Sequence, residues 1–138
     1  MNFVKHIIRP LLPEGNTWAG RVEYIVTYYT FRALQRLKNY CKNNDDVVAD
    51  TEGISEIEDA ADGLFQSKFR NCMMHYDLEN QGVLTLEYID QPFYGIVENC
   101  FDGKGYQTYL DLIHDLSDQI ISYLEKHFCC AGIELKQL

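Results

Sequence analysis

Apolar residues return every three or four positions from Trp18 to about Cys41. Trp18, Val22, Ile25, Tyr29, Ala33, Leu37 and Tyr40 fall on one stripe. A repeat near 3.6 residues sustained over that length predicts an amphipathic helix, with Asn16 or Thr17 placed to cap it. A second set, Tyr28, Phe31 and Leu34, widens the apolar surface, so this helix is expected to be covered on two sides. A partner subunit is one way to cover the second side. Leu110, Ile113, Leu116, Ile120, Leu124 and Phe128 predict another long helix over Tyr106 to Phe128. Between the two, Ile57, Ala61, Phe65, Phe69, Cys72 (or Met73) and Tyr76 predict a third. It would start at a Ser55–Glu58 capping box and run to about Asp77, with Gly63 costing it about 1 kcal/mol. Pro92 opens a short helix to Phe101, and residues near 82–90 alternate enough for a short extended segment or a loop. The expected fold is therefore all-α, an up-down helical bundle of three long helices plus a short one.

With 138 residues the chain is expected to form one domain over 1–138, with an N-terminal arm (1–16), a core (about 17–128) and a C-terminal tail (129–138). Hydrophobic residues at 46% and charged ones at 24% separate it from disordered chains. Five cysteines, at 41, 72, 100, 129 and 130, have neither framework spacing nor an even count. They suggest reduced thiols in a cytoplasmic protein. The first fifteen residues are interrupted by Lys5, His6, Arg9 and Pro10, unlike a signal peptide, and no run has the length of a membrane span. No cofactor and no metal site is expected.

The net charge of −9 is uneven. Eight of the nine excess negative charges match the acids between Asn43 and Ser67, a stretch without Lys or Arg. An acidic chain argues against an extended phosphate-tracking surface and against DNA as a partner, but leaves room for a small site handling one or two phosphates. Cations do gather locally, with Arg32, Arg36, Lys38 and Lys42 closing the first long helix.

Near the middle of the chain, FRNCMMHYDL (Phe69 to Leu78) sets Arg70, Asn71 and His75 among apolar residues. Asn71 and His75 are four apart, one turn along the same helix face. Arg70 lies about 140° from His75 around an ideal helix, within reach of a shared pocket through its long side chain. An imidazole takes and gives protons near neutral pH, a guanidinium clamps a phosphate and stabilises growing charge, and an amide orients either. With five Arg and four His in the chain, an Arg-x4-His pair arises about 0.14 times by chance; requiring Asn after the Arg lowers this to about 0.008. The bland alternative is a structural histidine on a plain helical assembly protein, with Arg70 and His75 apart on a solvated face.

The run RNCMMH on a helix of a small all-α bundle resembles the HEPN superfamily (higher eukaryotes and prokaryotes nucleotide-binding), whose motif is Arg, commonly a polar residue, then His. The resemblance covers roughly Trp18 to Phe128. It implies a metal-independent endoribonuclease that dimerises to bring two motifs into one cleft. There the RNA 2′-hydroxyl attacks the neighbouring phosphate, leaving a 2′,3′-cyclic phosphate and a 5′-hydroxyl. His75 would be the acid/base, Arg70 would stabilise the transition state, and Asn71 would position the phosphate or His75, with Tyr76 and Asp77 as supporting residues. It also implies a toxin of a toxin–antitoxin or phage-defence system, partnered by an antitoxin or a nucleotidyltransferase. Where some relatives place a modifiable tyrosine two residues after the His, this chain has Asp77, with Tyr76 adjacent. The alternative within the same resemblance is a noncatalytic module that binds a nucleotide or a partner protein.

Other signals are weaker. The calcium-loop-like start at Asp77 lacks the bidentate Glu at its twelfth position, where Tyr88 stands. Cys72 and Met73-Met74 fit core packing. His114 and His127 have no ligand at i+3 or i+4 and are expected at the surface, and His6 has no identifiable partner.

Overall fold

A computed structural model describes residues 1–13, 16–44, 49–75, 77–78, 81–82 and 90–128. The expected extended segment falls almost wholly outside these residues, as do Tyr76, Cys129, Cys130 and the tail. Every regular element among the described residues is helical. A π-helical stretch, Val4–Ile8, runs into α1 (Arg9–Leu11); α2 (Thr17–Lys42), α3 (Thr51–Ala60) and α4 (Ser67–His75) follow. A 3-10 turn, Pro92–Gly95, leads into α5 (Ile96–Cys100), and α6 (Tyr106–Phe128) closes the chain. Among the described residues no helix is long and apolar enough to cross a membrane.

The two longest helices follow their sequence signals. Asn16 caps α2, its side chain accepting from the Ala19 amide at 3.1 Å. At the start of α6, the Tyr106 amide donates to the Glu98 carboxylate at 2.9 Å, an anion where the helix dipole favours one.

The N-terminal segment packs onto α2 and α6. Val4 is fully buried, Lys5 pairs with Glu125 at 2.5 Å, and Arg9 reaches both α2 and α6.

The buried face of α2 includes Phe31 and Leu34 of the second apolar set rather than the whole of the Trp18–Tyr40 stripe. Tyr24, Thr27, Phe31 and Leu34 are buried, whereas Trp18, Tyr29 and Tyr40 are 61%, 61% and 55% exposed. The reason is aromatic complementarity. Tyr24 meets Phe69 edge-on at 5.1 Å, and Phe65 lies 5.3 Å from Tyr28 and 5.2 Å from Phe31. Phe69 continues into Tyr109 at 4.7 Å and Phe101 at 5.1 Å, so one ring cluster joins α2, α4, α5 and α6.

The second long helix is instead two. Asp50, not Ser55, caps α3, its Oδ1 accepting from the Gly53 amide at 2.9 Å; Ser55 lies inside the helix and donates to the Thr51 carbonyl. After Ala60 the chain turns through Gly63 at φ 71°, a left-handed conformation that ends helices. The Leu64 carbonyl then accepts from the buried Tyr109 hydroxyl at 2.7 Å, which satisfies it outside any helix. The break lets Leu64, Phe69, Cys72 and Met73 all point into the core, which a straight helix would not achieve.

Candidate functional site

Helix α4 buries Phe69, Cys72 and Met73. That spacing sets Arg70 and Asn71 at the edge of its buried face and leaves His75 exposed at its end. Contacts of Phe65 with Phe31, Phe69 with Tyr24 and Met73 with Arg21 show α4 running antiparallel to α2. Arg70 is therefore level with Tyr28, and His75 lies toward the Trp18 end.

The structure brings Arg70 and Asn71 together. An Arg70 Nη2 donates to Asn71 Oδ1 at 3.1 Å. The guanidinium also donates to the Tyr28 hydroxyl; that bond, with Tyr24 and Tyr29 nearby, holds the Arg70 pKa above its ordinary value. His75 is one turn beyond Asn71 and is bonded to neither residue. Among the described residues its imidazole has no hydrogen-bond partner. Asp77 is half-buried and accepts from the Gln81 side chain at 2.9 Å. Tyr76 lies outside the described residues.

Two positioning contacts had no sequence signal. Arg21 Nε donates to the Met73 carbonyl at 2.6 Å, and its guanidinium stacks over Trp18 at 5.6 Å. The carbonyls of a helix's last turn lack partners within the helix, so Arg21 holds the end of α4 just ahead of His75. Tyr28 orients Arg70 from a neighbouring helix. Both partners are some forty to fifty residues away in sequence, beyond the reach of periodicity.

Thiol chemistry is not favoured beside this cluster. Cys41, Cys72 and Cys100 are free, and burial raises the thiol pKa of Cys72 and takes that of Cys100 up to about 11. Protonated thiols are poor nucleophiles and poor metal ligands. Among the described residues no three His, Cys, Asp or Glu side chains converge as metal ligands.

Two of the histidines set aside on sequence grounds, His114 and His127, do have partners from elsewhere in the chain. His114 Nδ1 is 3.4 Å from Glu23 Oε1, and His127 Nε2 is 3.1 Å from Asp50 Oδ2. No i+3 or i+4 search along a helix could have found these pairs.

Compared with known protein families, curated proteins and solved structures, the chain matches none. The functional reading therefore rests on the site.

Proposed function

We propose that this chain is a HEPN-like, metal-independent endoribonuclease acting as a cytoplasmic homodimer, with an up-down bundle presenting Arg70, Asn71 and His75. One observation carries the reading: an arginine oriented by Asn71 at 3.1 Å and by the Tyr28 hydroxyl, with an exposed imidazole one turn along the same helix. His75 removes the proton from the RNA 2′-hydroxyl as O2′ bonds to phosphorus. The P–O5′ bond breaks, and the leaving oxygen takes a proton from the second copy's imidazole. Arg70 holds the negative charge that builds on the phosphoryl oxygens. The products are a 2′,3′-cyclic phosphate and a 5′-hydroxyl. A toxin role, in a toxin–antitoxin or phage-defence system, suits such an activity.

The exposed face of α2 supports the dimer. Successive members of Trp18, Tyr29 and Tyr40 are eleven residues apart, just over three full turns, so the rings line up about 16 Å apart. Three exposed rings on one line of a helix are a surface that a partner can cover. Tyr29 lies beside Arg70, so a second copy seated on this row would border the catalytic face.

The test is RNA cleavage in EDTA by purified protein, with His75→Ala and Arg70→Ala in parallel and mass measured by sedimentation. Cleavage by wild type alone, with cyclic-phosphate ends, is the expected result. No cleavage across varied RNAs, or equal cleavage by His75→Ala, overturns it. The charge of −9 favours a second reading, a noncatalytic module binding a nucleotide or a partner protein. Calorimetry with nucleotides and a pull-down separate the two.

A further inference from the structure

The charge of −9 is unevenly distributed over the fold. Helices α2 and α4 carry seven of the chain's twelve Lys and Arg but only one of its twenty-one acids, Glu23. Glu23 is buried and already bonded to Arg9 at 2.6 Å. The two helices that present Arg70 and His75 thus form the cationic side of an acidic protein. Net charge argues against a long phosphate track, and its distribution argues for a short one.

Ion pairing sharpens the contrast. Lys5, Arg9, Lys38 and Lys126 each pair with a carboxylate. Among the described residues Arg32 and Arg36 pair with none, and both are exposed. Arg32 is steadied by the Gln35 side-chain oxygen at 2.6 Å, which cancels no charge. Guanidinium groups left unpaired amid such a surplus of carboxylates are open to an anion from outside, and their planar fork suits phosphate.

Position ties both to the candidate site. Tyr28, Arg32 and Arg36 stand at intervals of four, on one continuous ridge of α2, in steps of about 6 Å. Tyr28 holds Arg70 at the head of that ridge. The ridge leads away from His75, because α4 runs antiparallel to α2, with Met73 beside Arg21 and Phe65 beside Phe31. A strand with one phosphate at Arg70 therefore meets a further guanidinium at each of the next two turns. Groups strung along a line, rather than converging on a point, suit a chain of phosphates rather than a single one.

We infer that Arg32 and Arg36 bind successive phosphates of a single-stranded RNA, leading away from the phosphate at Arg70. The inference rests on the proposed RNA substrate but not on the cleavage chemistry.

The experiment is fluorescence anisotropy of the full chain with a labelled 2′-O-methyl oligouridine over a salt series. That probe lacks the attacking hydroxyl, so binding is read apart from cleavage. Arg32→Gln and Arg36→Gln remove the charge yet keep a good helix former, and circular dichroism checks their fold. Each should lower the slope of log affinity on log salt by about 0.7, and the pair by about 1.4. Lys126→Gln, exposed on α6, should leave the slope unchanged. Arginine-dependent binding with no cleavage of unmodified RNA keeps this assignment and removes the ribonuclease. Cleavage of unmodified RNA beside an unchanged slope in the double variant removes this assignment and keeps the ribonuclease. No binding of the probe, an equal loss in Lys126→Gln, or displacement by polyglutamate as readily as by oligouridine also overturns it.

Discussion

Arg21 Nε lies 2.6 Å from the carbonyl oxygen of Met73, so a residue near the start of α2 holds the end of α4 two positions before His75. Removing that donor leaves a half-buried carbonyl unsatisfied and frees Trp18 from its cation–π contact at 5.6 Å. Arg21→Ala is expected to cost about 1–2 kcal/mol in urea unfolding. The His75 ring resonances should shift as the end of α4 frays. Unaltered stability together with unaltered resonances would show that Arg21 does not hold the helix.

Tyr28 orients Arg70. Tyr28→Phe keeps the ring that packs on Phe65 at 5.3 Å and deletes only the hydroxyl. If Arg70 acts on a phosphate, cleavage should fall by about tenfold to a hundredfold, as misplaced catalytic groups typically cost, with the fold intact. Cleavage at the wild-type rate would remove Tyr28 from the site.

Gly63 takes φ 71° with nothing within 4 Å of where a Cβ would stand. The expected penalty of Gly63→Ala is therefore conformational alone, about 1 kcal/mol, and Gly63→Asn should cost less because Asn tolerates the left-handed region. Chemical denaturation of both variants checks the order. A gain in stability for Ala would mean that α3 and α4 join into one helix.

Burial raises the Cys100 thiol to about 11 and pushes the Tyr109 hydroxyl far above its ordinary value of 10.0. Both groups keep in the folded state a proton that the unfolded chain releases. Their contribution is complete below the unfolded pKa values, about 8.5 and 10, and is lost as pH rises through the folded ones. Urea midpoints should hold level to about pH 8.5 and fall above it. Cys100→Ala should flatten the first part of that fall.

Asp50 behaves oppositely. The Gly53 amide, then His127 and Lys126, hold its carboxylate below the usual range. Its contribution is present above the unfolded pKa, about 3.9, and disappears as pH falls through the lower folded value. Asp50→Asn should keep the cap yet show a shallower loss of stability on acidification, measured by thermal unfolding between about pH 2 and pH 5.

Local signals located the two long helices well. Asn16 before Trp18, and the apolar stripe of α6, act within a few residues, where helix geometry alone decides. The Arg70–Asn71 adjacency was also legible, because neighbours on a helix edge stay neighbours. The facing of α2 was not. It carries two apolar surfaces, and which one is buried depends on Phe65 and Phe69, brought over by the turn at Gly63.

The sequence by itself determined that this chain makes helices, where the two longest of them begin, and that Arg70, Asn71 and His75 share one helix. Tertiary structure alone decided which helix faces meet, that Tyr28 and Arg21 flank the candidate site, and that Arg9, Glu23 and His114 come together. The physical reason is range. Helix hydrogen bonds and caps join residues up to about four apart, whereas Arg9 meets Asp118 across 109 positions, a pairing that only the packed core brings about.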